Sequence, residues 1–112
     1  MRLSEFINEW TIDENVIILE PQEGFNGGII GISEDKCHLI YSYQKLTEAL
    51  ATSYEREYNK NNPKEELSHE DFLNDACEWV DYNTIRQLPY MDEKYRPIII
   101  YEFEDKVDGQ NI

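Results

Sequence analysis

The chain has 112 residues and carries 24 acidic against 10 basic side chains, a formal charge of −14 at pH 7. A chain of this length buries roughly two-thirds of the surface it exposes when unfolded, which supports one core and excludes a catalytic domain joined to a substrate domain. An anionic surface repels phosphates, so direct nucleic-acid binding is disfavoured and basic proteins are the natural partners; a 40% hydrophobic fraction with 8 Tyr, 4 Phe and 2 Trp is too rich for a disordered acidic tail.

Phe6, Ile7 and Trp10 follow Ser4 at helical spacing and predict a short amphipathic helix over residues 3–10 that packs by those side chains. The same opening lacks the basic-then-apolar layout of a secretory signal, and the longest apolar runs, Val16 to Leu19 and Ile98 to Tyr101, fall far short of the ~20 residues that cross a bilayer. A cytoplasmic location and no membrane association are expected. Val16-Ile17-Ile18-Leu19, closed by Pro21, reads as a buried strand, and Glu23 to Gly28 as a loop. Ile29 to Ile32 and Cys37 to Tyr41 read as a hairpin joined by the polar turn Ser33-Glu34-Asp35-Lys36.

From Tyr43 the period changes. Leu46, Ala49, Leu50, Ser53, Tyr54 and Tyr58 fall on one helical face, Ser42 is placed as the N-cap, and the helix should stop near Asn59 to Pro63. A second long helix begins at Ser68, where Ser68 and Asp71 have the spacing of a capping box and Leu67 and Phe72 that of a hydrophobic staple. Its inner face is Phe72, Leu73, Ala76, Trp79, Val80 and Asn83, with Tyr54, Tyr58 and Trp79 as the interhelical core, and Pro89 limits it to about residue 88. Pro97 then introduces Ile98 to Phe103, a strand whose continuous apolar run predicts burial on both faces, before a frayed tail over 104–112.

Strands clustered early and helices late predict an α+β fold: a small three- to four-stranded, mainly antiparallel sheet with two long helices on one face and a short N-terminal helix. Residues 1–112 form one domain, with a helix and strand in 1–27 and the hairpin, two helices and last strand in 28–103.

Residues 67–85 hold five acidic and no basic side chains. At ~100° per residue Asp71, Asp75, Glu78 and Asp81 lie within about 120° of one another, opposite the apolar face, and span about 15 Å. This stripe has two readings. It is a solvated outer face with a favourable dipole interaction at its start, or a row of carboxylates standing in for the phosphates of a nucleic-acid strand. Tyr82 beside it, like Tyr90 and Tyr95, suits a protein interface.

No catalytic or cofactor signature emerges. His38 and His69 stand 31 residues apart, without HExxH or CxxC, so no metal site is expected. Cys37 and His38, as strand neighbours, point to opposite faces; Cys37 and Cys77 read as reduced structural thiols, and His69, in the first turn of a helix whose dipole disfavours its charged form, as a surface residue. Gly24, Gly27, Gly28 and Gly31 do not make a phosphate loop and read as turn formers supplying positive φ. A non-enzymatic protein with no cofactor is expected.

Glu78-Trp79-Val80-Asp81-Tyr82-Asn83-Thr84-Ile85-Arg86-Gln87-Leu88-Pro89-Tyr90, followed by Pro97-Ile98-Ile99-Ile100-Tyr101, resembles a group of short, uncharacterised proteins of phages and prophages of low-GC Gram-positive bacteria, in which a helix ends in a Tyr-Asn-Thr-Ile block before a Pro-initiated apolar strand. Ile30 to Asp35 and Leu39 to Tyr43 are similar to that group's hairpin, and the resemblance covers roughly residues 28–102. It implies a mobile-element setting inside a bacterial host cell. There, small acidic proteins often inhibit host defence, including anti-CRISPR proteins that occupy the basic nucleic-acid channel of an effector nuclease. The implied partner is a host protein with a basic surface, a CRISPR effector nuclease among the candidates, with Asp71, Asp75, Glu78, Asp81 and Tyr82 as partner-binding residues. The alternative is a phage accessory or structural interaction module, homodimeric through its tyrosines.

Overall fold

A computed structural model describes residues 2–62 and 67–103; the expected frayed tail, 104–112, lies outside the described residues. In chain order the elements are α1 (Leu3–Glu9), α2 (Gln22–Phe25), a 3-10 turn (Asn26–Gly28), β1 (Ile29–Ile32), β2 (Leu39–Ser42), α3 (Tyr43–Asn61), α4 (His69–Asn83), a second 3-10 segment (Ile85–Tyr90) and β3 (Ile98–Ile100). The fold is α+β. Among the described residues three strands run in the order β1-β2-β3, with β1 antiparallel and β3 parallel to β2, so the sheet is mixed rather than mainly antiparallel.

The N-terminal helix forms where expected, and the Glu5 carboxylate reaches back 3.1 Å to accept from the Arg2 backbone N–H, satisfying one donor of its first turn. Phe6 and Ile7 pack against the core, but Trp10 is 50% exposed, with the Lys36 ammonium 5.6 Å from its ring centroid. The cause is the way α1 ends: the Ile12 N–H bonds the Ile7 carbonyl (3.0 Å) and the Thr11 N–H that of Asn8 (3.3 Å), a Schellman closure that puts Thr11 at φ 51°. The chain turns just past Trp10 and buries Ile12 instead. A β-branched residue at positive φ is strained by about 1–2 kcal/mol. Thr11→Gly should therefore raise stability by about 1 kcal/mol in a denaturant titration, and an unchanged midpoint would show that Thr11 is not held in that region.

Val16 to Leu19 is not a strand. Val16 and Leu19 are buried, but the Ile17 N–H goes to the Tyr95 carbonyl (3.2 Å) and the Leu19 N–H to the Tyr41 hydroxyl (3.0 Å), so this backbone is satisfied outside any ladder. The expected loop at Glu23 to Gly28 is instead α2 and a 3-10 turn, which bury Phe25 completely. No glycine there adopts a positive φ; Gly28 is needed for another reason, since a Cβ on it would sit 2.8 Å from Cγ and 3.2 Å from Cα of buried Leu46. The bare backbone lets the turn seat against α3.

The hairpin forms, but its second strand starts two residues later than expected, at Leu39, which puts Cys37 and His38 in the connection, and a bulge lies between Ile29 and Gly31. Lys36 takes φ 65°, and His38 is satisfied, its Nδ1 lying 2.7 Å from the Arg96 carbonyl oxygen. Both cysteines are free thiols. Ser42 caps α3, its Oγ accepting from the Lys45 N–H at 3.1 Å, and α3 ends at Asn61.

β3 is shorter than the apolar run and is not buried on both faces: Ile98 and Ile100 are 40% and 36% exposed. It is an edge strand, and pairing stops at Ser42↔Ile100 because Ser42 turns into α3. The Gln44 carboxamide then takes the backbone of Glu102, donating to its carbonyl (2.8 Å) and accepting from its N–H (2.9 Å). The Glu102 carboxylate accepts from the Ser42 hydroxyl (2.6 Å) and pairs with Lys45 (3.3 Å), which together hold it below the usual carboxylate range.

The core combines Val16, Leu19, Phe25, Leu39 and Tyr41 with Leu46, Leu50 and Ala51 of α3 and Phe72, Ala76 and Val80 of α4. Tyr58 meets Phe72 edge-on (5.5 Å between centroids), whereas Trp79 packs on Phe25 of α2 (5.7 Å).

Candidate functional site

The serine cap places α4. Ser68 Oγ accepts from the Asp71 N–H at 3.3 Å and the Asp71 carboxylate accepts from the Ser68 N–H at 3.2 Å, the reciprocal box that the sequence spacing predicts. Ser68→Ala should cost about 0.5–2 kcal/mol in a thermal melt; no change would mean that the box does not hold the helix start. The helix ends at Asn83, earlier than expected, because the Gln87 N–H bonds the Thr84 carbonyl (3.1 Å) and tightens the chain into a 3-10 segment that contains Pro89. Thr84 is buried and Asn83 is not: Asn83 faces outward, its Nδ2 donating to the Trp79 carbonyl at 3.1 Å. The inner face therefore ends on Thr84.

A histidine clip fixes α4 to α3. The His69 ring meets Glu55 through Nδ1 (2.9 Å) and Glu48 through Nε2 (2.6 Å), a half-buried bridge where the sequence predicts a surface residue disfavouring charge. Two carboxylate acceptors require a proton on both nitrogens, so these hydrogen bonds raise the pKa of His69. A raised folded value means that the clip's stabilisation is complete below the unfolded value of about 6.5 and is lost as pH rises through the folded one. Melting temperature should fall on going from pH 6 to pH 9, and His69→Gln should flatten that slope; equal slopes would refute the clip. The carboxylates lie on opposite nitrogens and do not converge on one point, and among the described residues no group of three or more His, Cys, Asp or Glu is arranged to hold a metal.

The stripe divides by local chemistry. Asp71 is committed to the cap, and Asp81 accepts from the Tyr43 hydroxyl at 2.9 Å. Burial, then the hydrogen bond to Asp81, pushes the Tyr43 phenol far above its ordinary value and keeps it a donor. Asp75 and Glu78 are exposed and, among the described residues, pair with no cation. Tyr82 is 67% exposed, with the Arg86 guanidinium 4.6 Å from its ring centroid.

Two adjoining concavities follow this face. One, of about 520 Å³, is lined by Tyr54, Asp75, Glu78, Trp79 and Tyr82; the other, of about 620 Å³, by Glu78, Asp81, Tyr82, Ile85, Arg86 and Tyr101. Glu78 and Tyr82 line both. By contrast, the groove of about 460 Å³ between α2 and α3 mixes Glu23 and Glu48 with Lys45 and Arg56, so its charge is balanced locally. The structure thus brings Asp75, Glu78, Asp81 and Tyr82 to one concave face and leaves Asp71 at its start as a cap. Tyr101, Tyr43 and Arg86 belong to the same face but were not singled out by sequence: Arg86 stands four residues after Tyr82, a spacing that could reveal it, whereas Tyr101 lies on Tyr43 (4.8 Å between centroids) across 58 residues. Among the described residues no helix is long and apolar enough to cross a membrane. No family model, curated protein or solved structure matches the chain.

Proposed function

We propose that the chain is a phage-encoded acidic inhibitor of a host defence nucleoprotein, anti-CRISPR-like, whose α4 outer face enters a basic nucleic-acid channel of an effector nuclease in the host cytoplasm. In this reading α3 and α4 form a layer on one face of the sheet, with the outer face of α4 turned to the partner. The observation that carries the proposal is the pair Asp75 and Glu78, exposed with no ion pair among the described residues and set along aromatic concavities, a composition that attracts Lys and Arg and offers flat rings for packing. No turnover or cofactor is involved: occupancy excludes the nucleic acid.

The test is cleavage by purified effector nucleases of Gram-positive bacteria with the chain added before or after guide loading. Loss of cleavage for a particular effector is expected, and undiminished cleavage across the effector panel would contradict the proposal. A second reading, an accessory interaction module that dimerises, is favoured by the outer sheet face, where Ile40, Ile98 and Ile100 lie side by side and the last two are exposed. Light scattering separates the readings: this module is a dimer without any nuclease.

A further inference from the structure

The concavity between Tyr82 and Tyr101 has a more specific chemistry than negative charge. Tyr101 is 67% exposed, yet its ring is backed by Tyr43, whose hydroxyl also holds Asp81. One aromatic face and one carboxylate are therefore positioned by the same side chain. Glu78 adds a second carboxylate with no cation among the described residues, and Ile85 is part of the lining. A flat aromatic ring beside two carboxylates matches a guanidinium better than an ammonium, since the planar ion stacks on the ring while its fork of N–H donors meets the carboxylates.

The chain makes half of this pairing with itself: Arg86 lies over Tyr82 and forms no ion pair within 4.0 Å among the described residues. Among the described residues Arg86 is the one cation in the lining, set against Glu78 and Asp81, which leaves their sum one charge negative. The resident guanidinium lies on Tyr82, leaves Tyr101 to a second one and opposes that second one by its charge.

We infer that this concavity receives an arginine side chain of the basic partner, stacked on Tyr101 and paired with Glu78 and Asp81, and that Arg86 is a resident competitor for it. The inference rests on the reading of the α4 outer face as the partner-binding surface and deepens it by naming the side chain recognised. It distinguishes Tyr101, which supplies the ring, from Arg86, whose removal strengthens binding although it lines the site.

The probes are hexa-arginine and hexa-lysine peptides, titrated calorimetrically into the full chain at one ionic strength. Hexa-arginine should bind about three- to fivefold more tightly than hexa-lysine, Tyr101→Leu should abolish that preference, and Tyr101→Phe should keep it. Arg86→Gln should tighten binding of both peptides about two- to fivefold by removing a like charge. Thermal melts of each variant, matched to the parent, keep a folding defect from imitating lost recognition. Equal affinity for the two peptides, with Glu78→Lys still weakening both, overturns the arginine site and leaves the acidic-face reading standing. Absence of binding by either peptide contradicts that reading as well, and weaker binding by Arg86→Gln overturns the competitor role.

Discussion

Replacing Tyr41 by alanine is expected to remove about 3–5 kcal/mol of stability, enough to unfold much of a domain whose total is about 5–15 kcal/mol. Tyr41 is fully buried in β2, and its ring belongs to the core that joins the N-terminal segment to α3 and α4. Its hydroxyl is also the acceptor for the Leu19 N–H at 3.0 Å. With the Ile17 N–H bonded to the Tyr95 carbonyl, that bond anchors the segment which, in sequence, looks like a strand. Burial raises the phenol's pKa, so it stays neutral and leaves the oxygen with its proton across the working range. Tyr41→Phe separates the two contributions, since it keeps the ring and strands the Leu19 N–H, at a cost of about 1–3 kcal/mol. Urea denaturation of both variants measures this. A phenylalanine variant as stable as the parent would show that Leu19 finds another acceptor.

Reversing Asp75 and Glu78 together to lysine is expected to weaken partner binding by about 2–5 kcal/mol while leaving the fold intact. Both side chains are exposed and neither appears in a hydrogen bond or ion pair among the described residues, so the change removes no internal hydrogen bond or ion pair there. Asp71 and Asp81 are unsuitable for this test because one holds the Ser68 cap and the other the Tyr43 hydroxyl. Lysines there would perturb folding and binding together. The double variant should also show a shallower dependence of affinity on salt, because two of the attractive charges have become repulsive. Binding at parental strength across a salt series would make the stripe a solvated surface.

The long elements were legible because their ends are chemically marked. Ser42 and the Ser68–Asp71 box cap α3 and α4 as spacing indicates, and the two apolar runs around Ser33 to Lys36 form β1 and β2. What escaped depends on partners distant in sequence or on conformations the residue type does not advertise. Val16 to Leu19 has strand composition but bonds Tyr95 and Tyr41; α1 closes on Thr11 at positive φ where glycine is the usual signal; Gly28 serves close approach to Leu46 rather than a turn. Of the candidate site, helical periodicity locates Asp75, Glu78, Asp81 and Tyr82 on one face. It says nothing of Tyr101, which reaches that face from the chain after β3, nor of the His69 clip, which needs Glu48 and Glu55 from the other helix.

Displacement of nucleic acid tests the central claim most directly. Fluorescence anisotropy of a labelled guide or target strand bound to the inhibited effector should fall as the chain is added, with an apparent affinity that weakens at higher salt, and the Asp75→Lys, Glu78→Lys variant should leave the strand bound. Undisturbed anisotropy at concentrations of the chain that saturate the effector, or equal displacement by the charge-reversed variant, would contradict it.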